Sequence, residues 1–133
     1  MKVKHALLID DNDIDNYVNN HIISKSKTAE KITIKKSAIE ALEYLKSIEG
    51  NAIEFPDLIF LDISMPIMDG FGFLEEIVKF PKINEKQYSV VMLSSSDNPN
   101  DIKRAMNFEV VIDFFTKPLR IEMIEDLFKK GNL

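Results

Sequence analysis

The sequence has no cysteine and no tryptophan, and it contains only four glycines and five prolines in 133 residues. The absence of cysteine excludes disulfides, thiolate catalysis and zinc sites with thiolate ligands. The small amount of glycine and proline excludes collagen-like and low-complexity classes. Its 17 basic and 22 acidic side chains give a net charge of −5. This balance disfavours general nucleic-acid binding and favours a bound cation or a basic partner.

Long hydrophobic runs are absent as well. The apolar run at residues 6–9 is too short for a signal peptide. No other run approaches the roughly 20 residues of a membrane helix. We therefore expect a cytoplasmic protein without membrane attachment. The length and the 45% of hydrophobic residues predict a single domain over residues 1–133, with no appended output domain.

Short apolar runs alternate five times with longer segments of helical period, an alternation that is typical of right-handed βαβ units. It predicts an α/β fold, in which a five-stranded, doubly wound parallel sheet carries five helices on its two faces. The predicted strands are residues 6–9, 32–36, 58–61, 90–93 and 111–115.

The helices are predicted from apolar residues spaced three and four apart and from capping residues. The first helix is expected to bury Ile14, Val18 and Ile22 against the sheet. The starts of the other four are predicted at or just after Ser37, Gly70, Asn98 and Pro118. Apolar residues expected on their buried faces include Leu42, Leu74, Ile77, Val78, Ala105, Met106 and Ile124.

Polar residues follow four of the predicted strands, at the sheet edge where parallel sheets bind ligands. They are Asp10 and Asp11, Asp62, Ser94 and Lys117. Three crowded carboxylates need protons or a cation, and a hard divalent ion such as Mg2+ is the simplest partner. A carboxylate beside such an ion and a lysine is set up to attack phosphorus, because both cations neutralise the phosphoryl oxygens. The residues thus indicate phosphoryl transfer onto an aspartate.

The acidic segment has alternative interpretations. Asp13 and Asp15 are assigned to helix capping or to solvated charge. A phosphatase of the haloacid dehalogenase type would use Asp11 as nucleophile and Asp13 as acid/base, although Asp15 departs from that motif. A calcium loop is excluded, because Asn16 and Ile22 stand where glycine and glutamate are required. A binding module that has lost phosphorylation is a third possibility.

Four motifs, in this order and spacing, resemble the receiver domain of two-component response regulators. They are Leu-Leu-Ile-Asp10-Asp11, Leu61-Asp62-Ile63-Ser64-Met65-Pro66 with Met68-Asp69-Gly70, Met92-Leu93-Ser94-Ser95, and Phe114-Phe115-Thr116-Lys117-Pro118. The resemblance extends from about Lys4 to Phe128. It implies a flavodoxin-like receiver fold and a stand-alone signalling switch that catalyses only its own phosphorylation and dephosphorylation.

The resemblance also implies partners and a metal site. Asp62 would accept a phosphoryl group from a histidine kinase or a histidine phosphotransfer protein. Asp11, Asp62 and the backbone carbonyl of Ser64 would bind Mg2+, and Asp10 would act largely through bound water. The downstream partner is a protein that the sequence does not name, and the chain is expected to be a monomer or a phosphorylation-dependent dimer.

The resemblance implies a two-state switch at the same edge. Ser94 and Lys117 would hold the phosphoryl oxygens, and the Lys117-Pro118 peptide bond would be cis. Ser94 would move towards the phosphoryl group while Phe114 turns inward, which alters the surface of the fourth helix, last strand and last helix. Phe114 lacks the hydroxyl of the tyrosine that is common at this position, so a switch that depends on that hydroxyl is not expected.

Overall fold

A five-stranded parallel sheet with strand order β2-β1-β3-β4-β5 forms the centre of the computed structural model, which describes residues 3–80 and 87–131. The strands are β1 (Val3–Ile9), β2 (Ala29–Lys35), β3 (Leu58–Asp62), β4 (Ser89–Ser94) and β5 (Val111–Thr116). The helices are α1 (Asp13–Lys25), α2 (Ala38–Ser47), α3 (Gly70–Ile77), α4 (Pro99–Met106) and α5 (Ile121–Lys129). Strands and helices alternate throughout the described ranges, which confirms the predicted α/β architecture.

The sheet separates two hydrophobic clusters, because alternate residues of a strand point to opposite faces. On one face, Leu7 and Ile9 of β1 pack with residues of α2, α3 and α4. On the other face, Ala6 and Leu8 pack with residues of α1 and α5. Every residue of β3 is buried. Strands that are covered on both faces consist of continuous apolar runs, which is why β1, β3 and β4 could be recognised in the sequence.

Side-chain caps begin three of the helices at the predicted places. Oγ of Ser37 accepts a hydrogen bond from the backbone N–H of Glu40 at 3.0 Å, before α2. Oδ1 of Asp69 accepts from Gly72 at 2.9 Å, before α3. The side chain of Asn98 caps α4 in the same way. Each cap satisfies a backbone donor that has no partner within its helix.

The predicted buried face of α1 is wrong at two of its three residues, since only Ile22 packs against a hydrophobic cluster. Ile14 is 73% exposed and Val18 is 37% exposed, whereas Asn16 and Ile23 are buried. Nδ2 of Asn16 donates to the backbone carbonyl of Asp10 at 2.8 Å, just beyond the end of β1. A buried backbone carbonyl needs such a partner. The helix therefore turns an asparagine inward and leaves an isoleucine outside.

Other differences are smaller. Val78 and Met106 are about half exposed rather than buried, because they lie at the C-terminal ends of α3 and α4. The edge strand β2 spans Ala29–Lys35 instead of residues 32–36, and its half-exposed residues give a weak sequence pattern. The predicted loop at residues 81–88 lies outside the described residues, apart from 87–88. None of the helices in the described ranges is long and apolar enough to span a bilayer.

The first residue of α3, Gly70, packs directly against the end of β3. A Cβ atom at Gly70 would lie 2.6 Å from the backbone oxygen of Asp62 and 3.0 Å from Cα of Ile63. The N–H of Gly70 also donates to the carbonyl of Ile63 at 2.8 Å. Only glycine allows the helix to approach the strand end so closely.

We expect Gly70→Ala to lower the free energy of unfolding by about 1–3 kcal/mol, because the backbone of the strand end must shift to admit a methyl group. Gly72→Ala is the matched control. Its Cβ would lie close to the flexible side chain of Met68 and in ordinary contact with Oδ1 of Asp69, not against backbone, and alanine is the better helix former. Urea unfolding of both variants measures the difference, and equal stabilities would contradict the steric argument.

Candidate functional site

The ammonium group of Lys117, the residue after β5, lies among three carboxylates. Its Nζ is 2.7 Å from Oδ2 of Asp10, 2.9 Å from Oδ2 of Asp15 and 3.2 Å from Oδ1 of Asp62. These residues come from the end of β1, the first turn of α1 and the end of β3. An ammonium has three N–H donors. Each of them therefore has a carboxylate oxygen within reach.

Asp10, Asp11 and Asp62 form a group that could hold a metal ion. One carboxylate oxygen from each lies within 4.8 Å of the others. Asp10 and Asp62 are buried, while Asp11 is exposed. The structure thus brings together the three carboxylates that the sequence predicted at one sheet edge. Hard oxygen donors at this spacing suit Mg2+ or a similar divalent cation.

The position of Asp10 is fixed by the start of α1. Its Oδ1 accepts a hydrogen bond from the backbone N–H of Asn12 at 2.9 Å. The side chain of Asn12 in turn accepts from the N–H of Asp15 at 3.0 Å, so that Asn12 is the N-cap of the helix. Asp10 is therefore held on one oxygen by the backbone and on the other by Lys117.

The charges at this edge shift one another's pKa. The pKa of Asp62 is raised to about 6, mainly by burial and also by the negative charge of Asp10, while Lys117 opposes the rise. Burial acts to lower the pKa of Lys117, but its hydrogen bonds to Asp10 and Asp15 outweigh burial, and the net pKa is raised. Lys117 therefore stays charged at neutral pH, and the negative charge of Asp62 is costly.

Ser94 ends β4 and is linked through its backbone to the end of β5. It is buried, and its Oγ accepts a hydrogen bond from the backbone N–H of Ser96 at 3.1 Å. Its backbone oxygen accepts from the N–H of Lys117 at 2.7 Å. The serine and the lysine thus lie side by side at the carboxyl edge. The Lys117-Pro118 peptide bond is cis, as the resemblance implied.

The other two residues predicted for the site are Ser64 and Phe114. Ser64 is exposed, two residues beyond Asp62. Phe114 of β5 is half-buried and packs against the hydrophobic cluster beneath α2, α3 and α4. The roles of Ser64 in metal binding and of Phe114 in switching stay predictions.

The assignment of Asp15 to capping or solvated charge is wrong, because its carboxylate binds Lys117. The sequence carried one signal for this contact, since Asp15 lies in the first turn of a helix that starts at the functional edge. The hydropathy pattern, however, predicted an inner face of α1 that is shifted by one residue from the observed inner face. Asp13 lies on the surface, where it pairs with Lys36 at 2.7 Å. Because Asp13 is paired there, it is not placed to act as the acid/base residue that a phosphatase of the dehalogenase type would need.

Comparisons with known proteins identify relatives of the whole fold. The family model described as the response regulator receiver domain matches residues 6–129. The two-component response regulator ORR1 of Oryza sativa subsp. indica is 31% identical, over 96% of this chain and 54% of its own length. ORR8 of the same subspecies is 28% identical, over 97% of this chain and 98% of its own. The chain thus spans about half the length of ORR1 and nearly all of ORR8.

Solved structures agree with these matches. The crystal structure of a two component response regulator from Cytophaga hutchinsonii superposes with a TM-score of 0.88 and 29% identity, covering 98% of this chain and 97% of that chain. The crystal structure of the Mn2+-bound form of response regulator Rcp1 superposes with a TM-score of 0.71 and 23% identity, covering 96% of this chain and 91% of that chain. The second likeness concerns the fold alone.

The raised pKa of Asp62 predicts a stability effect in metal-free protein. Because the folded-state pKa of about 6 lies above the ordinary aspartate value of 3.8, the folded state holds this proton more tightly than the unfolded state. Wild-type stability from this group therefore falls as pH rises through that window. We expect Asp62→Asn to raise the free energy of unfolding by about 1–3 kcal/mol at neutral pH, and by less near pH 4.

The measurement is urea unfolding in a chelator at about pH 4.5 and about pH 7.5. Asp13→Asn removes the same charge from an exposed position and should change stability by less than about 0.5 kcal/mol. An Asp62→Asn protein that is no more stable than wild type at the higher pH would show that the carboxylate charge is not costly.

Proposed function

The chain belongs to the response regulator receiver domain family of two-component signalling, and from this premise we propose that Asp62 is its phosphoryl acceptor. The observation that carries the proposal is the arrangement around Asp62. This carboxylate ends a buried strand, contacts the ammonium of Lys117 and belongs to the group that could hold a metal ion. Its neighbours are the groups that phosphoryl transfer requires.

The proposed reaction uses an oxygen of Asp62 as the nucleophile. This oxygen forms a bond to the phosphorus of a phosphohistidine, while the bond between phosphorus and the imidazole nitrogen breaks. The electron pair of the broken bond stays on the nitrogen, which takes a proton. Lys117 donates to one phosphoryl oxygen and the hydroxyl of Ser94 donates to another. With a pKa of about 6, Asp62 is mostly ionised at neutral pH and ready to attack.

The carboxylates of Asp10, Asp11 and Asp62, with the backbone carbonyl of Ser64, would hold Mg2+. Their spacing within 4.8 Å and their hard oxygen atoms suit such an ion. The ion would supply neutralisation of the negative phosphoryl oxygens. The Mn2+-bound form of Rcp1, a protein of the same fold, also supports a divalent metal in this proposal.

The response to phosphorylation is proposed to run through Ser94 and Phe114. Ser94 moves towards the phosphoryl group, and Phe114 turns inward from its half-buried position against the hydrophobic cluster of α2, α3 and α4. The outcome is altered binding of a downstream protein, by a monomer or a phosphorylation-dependent dimer, and catalysis is limited to formation and hydrolysis of the acyl phosphate. The organisation as one domain over residues 1–133 and the cytoplasmic location stay predictions.

We expect acetyl phosphate with Mg2+ to add one phosphoryl group to the wild type and none to Asp62→Asn. The amide is a poor nucleophile but keeps the shape of the side chain, so the variant should remain folded. Intact mass with and without Mg2+ measures the adduct, and thermal unfolding checks the fold. A phosphorylated Asp62→Asn protein would place the acceptor elsewhere.

The surface beside this site suggests where a protein donor binds. Ile14 and Tyr17 are 73% and 77% exposed on α1, and Val18 beside them lines a cavity together with Lys117. A donor must bring its phosphohistidine to Asp62, so it must cover the adjoining surface. Exposed apolar side chains at that place are suited to such a contact. We therefore assign this face of α1 to docking of the histidine kinase or phosphotransfer protein.

Tyr17→Ala separates docking from chemistry. We expect it to slow phosphotransfer from a phosphorylated histidine phosphotransfer protein by about tenfold, the cost of one good interface contact. It should leave the rate with acetyl phosphate unchanged, because that donor needs no docking surface. Ile53→Ala is the control, since Ile53 is equally exposed but lies outside α1. Equal rates of protein phosphotransfer in the two variants would exclude α1 as the docking face.

A further inference from the structure

Asp15 is the one carboxylate at Lys117 that neither the proposed metal site nor the proposed acceptor uses. Its Oδ2 lies 2.9 Å from Nζ of Lys117, and its side chain is 38% exposed. Asp10 and Asp62, the other two partners of the lysine, have side chains that are almost fully buried. Lys117 is therefore held from the solvent side by a charge at the mouth of the site.

The three contacts of Lys117 differ in how easily they can be given up. Asp10 is also fixed by the backbone N–H of Asn12, so it stays in place. Asp62 is the proposed acceptor and carries the new group itself. Among the described residues, the carboxylate of Asp15 has no backbone hydrogen bond of this kind, and its ion pair with Lys117 already faces water. It can therefore be solvated at little cost. An incoming phosphoryl oxygen that accepts a hydrogen bond from Lys117 must replace one of these three contacts. The contact with Asp15 costs the least free energy to break.

We propose that Asp15 restrains phosphorylation, because its carboxylate engages the ammonium of Lys117 that the incoming phosphoryl group requires. The inference rests on the proposed function of Asp62. It makes Asp15 a positioning residue that acts through Lys117. Release of Lys117 by Asp15 becomes one of the steps that set the rate at which the switch is turned on.

The structure also provides a place for the displaced carboxylate. An open cavity of about 270 Å³ is lined by Asp15, Val18, Asn19, Ser95, Lys117 and Pro118. Asn19 lies one helical turn after Asp15, so their side chains are neighbours on α1. Nδ2 of Asn19 is buried and has no hydrogen-bond partner among the described residues. An unpaired buried amide is costly, and a released Asp15 carboxylate would satisfy it.

The test compares two variants that remove the same charge from the first turn of α1. We expect Asp15→Asn to raise the rate constant of phosphorylation by acetyl phosphate about fivefold at saturating Mg2+, the size of one partly exposed charge interaction. Asp13→Asn is the matched control, because Asp13 pairs with Lys36 instead of Lys117. Asp15→Glu restores a carboxylate and should return the rate towards that of wild type. The chain has no tryptophan, so time courses of intact mass provide the readout.

A double-mutant cycle tests whether the effect passes through Lys117. In a Lys117→Ala background, adding Asp15→Asn should leave the slow rate unchanged, because there is no ammonium left to release. Asn19→Leu should slow phosphorylation when Asp15 is present and have no effect in Asp15→Asn. Equal rates for Asp15→Asn and Asp13→Asn, or the same gain with and without Lys117, would overturn the inference.

Failure of the proposed function would look different. If Asp62 is not the acceptor, the wild type takes up no phosphoryl group or Asp62→Asn takes up as much. If Asp62 is the acceptor and only the restraint is wrong, the wild type is phosphorylated and Asp15→Asn reacts at the control rate. Thermal unfolding of each variant distinguishes both results from loss of the fold.

Discussion

The contact of one ammonium with three carboxylates is the constraint on which the rest of the molecule depends. Asp10 and Asp62 are buried next to each other, and without a cation their charges would oppose folding. Lys117 compensates them only if the ends of β1, β3 and β5 meet at one edge. A parallel sheet with β1 and β3 as neighbours achieves this, although Asp10 and Lys117 are 107 residues apart in the sequence. The site and the topology therefore require each other.

The packing around that edge serves the same constraint. The absence of a side chain at Gly70 lets α3 approach the backbone of Asp62. On the other face of the sheet, the side chain of Asn16 donates a hydrogen bond to the backbone carbonyl just beyond β1. Neither residue carries a charge or takes part in the proposed chemistry. Each limits how far a strand end can move, and so each helps to fix the distances between charged groups. In a site whose pKa values depend on close spacing, such contacts stabilise the electrostatics as much as the fold.

The sequence predicted the sheet well and one helix face poorly, for physical reasons. Strands β1, β3 and β4 are buried on both faces, so hydropathy alone identifies them. The inner face of α1 is held by Asn16, whose partner is a backbone carbonyl that hydropathy does not describe. The same error hid Asp15, because its contact with Lys117 depends on how the helix is rotated. Asp10, Asp11, Asp62 and Lys117 could be grouped in advance because each lies at the carboxyl end of a strand.

The inverted polarity of α1 has a consequence for specificity between signalling pathways. In its first two turns, Asn16 and Asn19 face inward while Ile14, Tyr17 and Val18 face the solvent, so the residues that hold this part of the helix are not those that it presents to the solvent. Changes at Ile14 or Tyr17 cost little stability, as is usual for exposed positions. On the proposed docking face they would alter recognition of the partner directly. Gene duplicates of such a domain can acquire new partners by surface substitution while the charged centre is inherited intact.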